Sequence, residues 1–114
     1  MIKGKLVLVP FPFDDLSATK VRPALCLTGA IGLHNHVVIA FISSVIPDDL
    51  LTTDVLIDTS QTDFEVTGLR VTSVLKLHRL MTISGSLILR ELGELPSALQ
   101  PLVAAKLKLL FGIV

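Results

Sequence analysis

Short apolar stretches separated by turn residues constrain the fold of this chain more than any other feature. They are rich in Val, Ile and Leu, are too short for a confident helix, and end at Gly, Pro, Asn or Asp. They predict strands over residues 5–9, 21–28, 37–45, 53–57, 70–75 and 77–83, the last two joined through a bulge. Short strands with turn signals about every ten residues favour a small barrel or sandwich.

Prolines, glycines and small polar residues predict the connections. Pro10 and Pro12 should end the first strand after Val9, because proline cannot donate a hydrogen bond within a central strand. The other connections are a polar loop over residues 13–20 and turns at 29–35, 47–49, 64–68 and 84–86.

The apolar spacing changes to that of a helix over residues 97–112. Ser97 is a candidate N-cap, Pro101 allows the first turn to begin anywhere from 97 to 101, and Gly112 is a natural stop. The apolar stripe should dock on the chain's own core, giving a mainly β fold with a C-terminal helix. Its members are Leu99, Leu102, Val103, Leu107, Leu110, Phe111 and Val114.

The composition predicts one domain over residues 1–114. Hydrophobic residues make up 51% of the chain and charged residues 18%, with neither Tyr nor Trp, so the core must be built from Leu, Val and Ile. Apolar residues left over by a small core need a cover, which suggests an oligomer. A formal net charge of zero counts against a broadly basic nucleic-acid binder but leaves room for a local basic patch.

Several kinds of site are excluded by motifs that the sequence lacks. It has no Gly-rich phosphate loop, no His-Glu-x-x-His and no Gly-x-Ser-x-Gly. Cys26, the only cysteine, can build neither a disulfide nor a zinc site within one chain and should be buried. His34 and His36 are interpreted as surface loop residues, so no metal and no cofactor are expected. With no signal peptide and no run of membrane-spanning length, a reducing cytoplasm is expected.

Arg22 and the pair Ser43–Ser44 are the candidates for chemistry. Arg22 is held extended by Pro23 at a strand entrance, where it is either a surface charge or a phosphate ligand with a planar fork of donors. Ser43 and Ser44 end the most apolar strand, where their hydroxyls either bond to the backbone or face a ligand. The residues alone leave both alternatives open.

Four blocks of the sequence resemble MazF/PemK-type toxins of type II toxin–antitoxin systems. Residues 4–17 and 20–25 are similar to the family's opening, a hydrophobic run into a Pro-Phe loop and then an Arg-Pro-Ala step. Residues 39–44 resemble its third strand, which usually ends in Thr. Residues 73–76 and 80–83 resemble a late strand pair, and the helix after Pro96 completes the likeness.

The resemblance implies a small SH3-like β-barrel that forms a homodimer and is blocked by a cognate antitoxin. It implies a metal-independent endoribonuclease (an mRNA interferase) that cuts single-stranded RNA by attack of the ribose 2′-OH, leaving a cyclic phosphate and a 5′-hydroxyl. It assigns catalysis to Arg22, as phosphate clamp and proton donor, and to Ser43 in place of the usual Thr. RNA binding falls to Thr19, Lys20, Ser44, Lys76, His78 and Arg79.

Two alternatives stay open at this point. A CcdB-like toxin of the same barrel would poison a protein target such as DNA gyrase through residues 111–114, and a degenerate member would bind without cutting. Ser43 keeps the hydroxyl of Thr but lacks its stiffening methyl, and Ser44 could be the equivalent residue instead. Without Tyr or Trp, base recognition must use Phe, backbone and polar groups.

Overall fold

A curled, antiparallel sheet forms a half-barrel that is closed on one side by a C-terminal helix. The computed structural model describes residues 2–12 and 19–114. Across these residues the strand order is β4-β5-β3-β2-β1-β6. The elements are β1 (Lys5–Pro12), β2 (Thr19–Cys26), β3 (His36–Ser43), β4 (Asp54–Ile57), β5 (Ser73–Ser84), β6 (Arg90–Glu94) and α1 (Gln100–Phe111).

Alternate residues of the central strands are buried on opposite faces of the sheet. Leu25 in β2 and Ile42 in β3 pack into the cluster that includes Val103 of α1, whereas their neighbours Cys26 and Phe41 pack on the other face. Because both faces are covered, these strands read as continuous apolar runs instead of alternating ones. This explains why the sequence predicted β2, β3 and β4 with bounds close to those observed.

The first strand is longer than its prolines predicted. It pairs with β2 from Leu6 to Pro12, but with β6 only from Lys5 to Leu8. The Leu8 carbonyl accepts a hydrogen bond from the Leu89 amide on the β6 side, at 2.9 Å. Pro10 and Pro12 follow Leu8 at intervals of two residues, so their backbone nitrogens point to the same side of β1 as the Leu8 carbonyl. On that side β6 has already ended. The prediction that the strand stops at Val9 was wrong because the prolines face an open edge.

The predicted bulge in β5 is confirmed. Ala40 of β3 pairs with Leu80, but the next residue, Phe41, pairs with Lys76. Residues 77–79 therefore have no partner in β3, and the strand bends there. Residues 70–72 precede the strand instead of starting it, since β5 begins at Ser73.

The edge strand β6 was not predicted, and two glycines hold it against a short 3₁₀ helix, Phe64–Thr67. A Cβ on Gly93 would overlap the Val66 carbonyl oxygen and lie 2.6 Å from the Thr67 carbonyl carbon. A Cβ on Gly68 would overlap the Leu92 carbonyl oxygen, and its φ of 73° also favours glycine. The backbones of the 3₁₀ helix and of β6 are therefore in direct contact.

The C-terminal helix agrees with the prediction at its end more than at its start. A 3₁₀ turn, Ser97–Leu99, comes first, and Leu99 instead of Ser97 is the N-cap residue of α1. Gly112 ends the helix with φ 66° and donates to the Leu109 carbonyl at 3.2 Å. The stripe docks only in part: Val103 is buried, whereas Phe111 is 59% exposed. None of the helices described is long and apolar enough to cross a membrane.

Candidate functional site

A basic groove of about 720 Å³ lies where the start of β2, the end of β3, the β5 bulge and β6 meet. Half of the ten Lys and Arg residues of the chain line it, although the formal net charge is zero. Every Asp and Glu among the described residues lies outside this lining. The local basic patch that the sequence allowed is therefore present, and its cations are Arg22, Arg70, Lys76, Arg79 and Arg90.

Arg22 is placed in the groove by its position in β2. It pairs with Val9 of β1 and is followed by Pro23, which also lines the groove. The side chain is partly buried, and Nη1 donates to the Val21 carbonyl oxygen at 3.3 Å. The guanidinium thus lies at the wall of the groove.

The hydroxyl of Ser43 caps the end of β3 and lines the same groove as Arg22. Its Oγ accepts a hydrogen bond from the Val45 amide at 3.1 Å and donates to the Val45 carbonyl at 3.5 Å. The first bond fixes the oxygen in a local turn. The second is at the limit of hydrogen-bond length, so the hydroxyl hydrogen can turn towards a ligand at little cost.

Ser44 follows as the next groove-lining hydroxyl and is exposed. It is less constrained than Ser43, because the hydrogen bonds at this strand end are made by the Ser43 hydroxyl. Both hydroxyls therefore share one cavity with Arg22. The structural interpretation of Ser43 is compatible with the functional one, since one lone pair of Oγ accepts the Val45 amide and the O–H group can rotate.

Lys76 is the paired residue just before the β5 bulge, and Arg79 is the last unpaired residue of the bulge. Lys76 is partly buried and pairs with Phe41 in the sheet, and Arg79 lies above the Phe41 ring with 4.8 Å between its Cζ and the ring centroid. Both line the groove, and the RNA-binding role that the resemblance implied for them stays a prediction. The bulge is the cause, since without it these residues would continue the regular alternation of the strand.

Arg70 and Arg90 line the groove but were missed in the sequence. Arg90 is opposite Leu8 in the sheet, and Leu8 is opposite Pro23, so Arg90 lies two strands from the residue next to Arg22. Its neighbours Glu91 and Glu94 are instead within 3.7 and 3.5 Å of the Lys5 ammonium. No local signal reveals either arginine, because Arg90 reaches the groove through the pairing of β6 with β1 and Arg70 through the contact of the preceding turn with β6.

Two of the residues expected to bind RNA are not among the described residues that line the groove. Lys20 and His78 are exposed and do not line it. Thr19 is the first residue of β2 rather than part of the preceding connection, and nothing is described of its side chain. Of the expected polar loop over residues 13–20, residues 13–18 lie outside the described residues, and the last two residues belong to β2.

No further chemical centre is formed elsewhere in the described ranges. The rings of His34 and His36 are 5.8 Å apart on an exposed hairpin, and no group of three or more His, Cys, Asp and Glu residues could hold a metal there. Burial, with a smaller contribution from the charge of Glu91, raises the pKa of Cys26 to about 11. At neutral pH this thiol is therefore protonated and is not a nucleophile.

A curled sheet with this groove and a C-terminal helix matches a known class of small toxins. The family of PemK-like, MazF-like toxins of type II toxin–antitoxin systems matches residues 2–111. The chain belongs to this family, which confirms the resemblance and the mainly β fold with a C-terminal helix.

Two solved structures are similar to it. The Mycobacterium tuberculosis toxin MazF-mt6 has 25% sequence identity and a TM-score of 0.70, over 95% of this chain and 98% of that one. An endoribonuclease in complex with its cognate antitoxin from Mycobacterial species has 15% identity and a TM-score of 0.73, over 100% and 97%. The second likeness concerns the fold alone. No curated protein sequence matches the chain.

Proposed function

We propose that this toxin is an endoribonuclease that cuts single-stranded RNA in the groove beside Arg22. The observation that carries the proposal is the collection of five cations and the hydroxyls of Ser43 and Ser44, with that of Ser73, in one cavity of a protein with no net charge. RNA is a polyanion, and such a groove would follow its phosphates. The similar fold of an endoribonuclease bound to its antitoxin supports the same conclusion.

The proposed reaction is an internal transfer of the phosphate. The 2′ oxygen of one ribose forms a bond to the adjacent phosphorus, and the bond from phosphorus to the 5′ oxygen of the next nucleotide breaks. The 2′-OH loses a proton to water, and the 5′ oxygen gains one as it leaves. The products are a 2′,3′-cyclic phosphate and a 5′-hydroxyl, and the attacking group belongs to the RNA, so the protein needs no nucleophile of its own.

The roles proposed for Arg22 and Ser43 follow from this reaction. Negative charge increases on the phosphate oxygens as the 2′ oxygen approaches, and donors fixed in place stabilise that charge. Arg22 donates two N–H groups to the phosphate and stays close to the leaving oxygen, and Ser43 turns its O–H to a phosphate oxygen. Losing one such donor costs on the order of 100-fold or more in rate.

The other cations would bind the strand on either side of the reacting phosphate. Lys76 is nearest to the end of β3, and Arg70 and Arg90 lie on the β6 side. We also propose that the toxin is a homodimer and that its cognate antitoxin occupies the groove. Exposed apolar side chains at the end of α1, including Leu109 and Phe111, support a covered interface there, since both are 59% exposed.

A cleavage assay tests the proposed function. Purified protein is incubated with mixed single-stranded RNA in EDTA, and the 5′ ends are analysed. We expect cuts with 5′-hydroxyl ends, lowered at least 100-fold in Arg22→Ala and in Ser43→Ala. Lys108→Ala is the matched control, since it removes one positive charge from an exposed position of α1 outside the groove. Intact RNA at high enzyme concentration, or equal cutting by Arg22→Ala, would refute the mechanism.

The same assay separates the two alternatives. A degenerate member would bind the RNA and leave it intact. A CcdB-like toxin would neither bind nor cut RNA, and its activity would depend on the exposed C-terminal residues Phe111, Ile113 and Val114. Truncation after Leu110, scored by growth inhibition on expression, would then abolish toxicity while Arg22→Ala would not.

A further inference from the structure

Among the contacts of the described residues, one groove cation, Arg79, lies over an aromatic ring. Its Cζ is 4.8 Å from the centroid of the Phe41 ring, which in turn leans on Phe11 with 4.9 Å between the centroids. Phe41 is only 7% exposed, whereas Arg79 is exposed. The guanidinium therefore contacts a buried ring on one side and is accessible to a ligand on the other.

The β5 bulge is what brings Arg79 to this position. Of the three residues without a β3 partner, Leu77 is fully buried and the two that follow are exposed. The bulge breaks the regular alternation of side chains between the two faces of the strand, so the Arg79 side chain lies over Phe41, the residue that pairs with Lys76. Bulges next to functional sites commonly re-aim a side chain in this way.

We propose that the accessible side of Arg79 is a stacking surface for one base of the bound RNA, so that this residue contacts a base and not a phosphate. The inference rests on the proposed function and names the residue on which one base of the strand would be positioned. Guanidinium planes stack on bases as aromatic rings do, and the ring beneath positions the guanidinium before the RNA arrives.

The aromatic content of the groove supports this role. The chain has no Tyr or Trp, and Phe41 is the one described phenylalanine that lines the groove. A base cannot stack directly on Phe41, because little of that ring is exposed. Charge is already supplied by the other four lining cations, so a fifth phosphate contact is not required of Arg79.

A binding experiment with abasic RNA tests the inference. The probe is a short single-stranded oligonucleotide with 2′-fluoro riboses, which cannot be cut because the attacking hydroxyl is missing. A set of copies carries one abasic position each, and affinities are measured by fluorescence anisotropy. For the wild type we expect one position at which base removal weakens binding about 10-fold. In Arg79→Lys that penalty should vanish, since lysine keeps the charge and loses the plane.

Two further measurements exclude a merely electrostatic or structural effect. The dependence of affinity on salt should be the same in Arg79→Lys and wild type, because no phosphate contact is lost. Arg70→Lys is the matched control: it exchanges a groove arginine that, in the described part of the chain, has no ring beneath it, and it should keep the abasic penalty. Equal melting temperatures would show that both variants are folded.

Each result decides between the explanations. An abasic penalty that persists in Arg79→Lys overturns the stacking role, as does wild-type binding that no abasic position weakens. In both cases RNA is still bound, so only the stacking role is overturned and the proposed function is decided separately by the cleavage assay. A wild type that binds no RNA of any sequence overturns the proposed function, and the stacking role with it.

Discussion

Replacing Gly93 with Ala should destabilise the toxin more than any ordinary Gly→Ala change. Gly93 lies in β6 directly against the 3₁₀ helix Phe64–Thr67. Its new Cβ would overlap the Val66 carbonyl oxygen and lie 2.6 and 2.7 Å from the carbonyl carbon and oxygen of Thr67. All three atoms belong to the backbone, so no side chain can rotate away. Either β6 or the turn before Arg70 has to move.

The magnitude follows from the space that is missing. Observed Cβ contacts are essentially never shorter than 3.0 Å, so the two backbones must separate by at least several tenths of an ångström. Overpacking of this kind costs about 1–3 kcal/mol, and a rigid backbone contact favours the upper end. For a chain of this length, about 3 kcal/mol corresponds to a fall of about 10 °C in Tm.

Thermal unfolding by circular dichroism measures this change. The control is Gly29→Ala, because a Cβ there meets nothing within 4 Å and the residue is not among those with positive φ. The control should melt within about 2 °C of the wild type, since such surface changes stay within about 0.5 kcal/mol. If Gly93→Ala also melts within 2 °C of the wild type, the two backbones are not in the contact described here.

Two titratable groups give further predictions. Because burial holds the pKa of Cys26 at about 11, the native protein at pH 8 should resist iodoacetamide for hours, whereas the protein unfolded in guanidinium chloride should react at once. The free energy of unfolding should also fall as the pH rises from about 9 to about 11, because the thiol of the unfolded chain ionises first. Alkylation of the native protein at the unfolded rate would contradict this. Asp58 has a lowered pKa because the Thr72 hydroxyl and then the Ser60 amide donate to it, the former at 2.9 Å. In Thr72→Val the pKa of Asp58 should rise towards 3.8. The variant should be less stable than the wild type at neutral pH, and this difference in stability should shrink to nothing as the pH falls through the wild-type pKa of Asp58. An NMR titration of the carboxyl group that finds no rise in pKa would refute the assignment.

Much of the fold could be predicted because the central strands are buried on both faces. Consecutive residues such as Ile39, Ala40 and Phe41 are all buried, so the strand is a continuous apolar run that can be recognised in the sequence. β6 was missed because its sequence, Arg-Glu-Leu-Gly-Glu, has neither apolar alternation nor β-branched residues. It is a strand only because β1 offers it hydrogen-bond partners.

The site divides in the same way. Arg22, Ser43, Lys76 and Arg79 were predicted from the resemblance to the toxin family, and the structure places all four in one cavity. Arg70 and Arg90 could not, because they come together through backbone contacts at Gly68 and Gly93. The helix stripe was overestimated for a related reason: spacing shows which residues share a face, but not how much of that face the sheet covers.

The groove also determines how the whole molecule behaves in an electric field. A chain with zero formal charge and five cations in one groove must carry five excess negative charges on all its other residues together. The toxin is therefore an electric dipole whose positive pole is the groove. An approaching polyanion is attracted to that pole within a Debye length of about 8 Å at physiological salt. Encounters should be productive more often than chance orientation allows, and this advantage should disappear as salt is added.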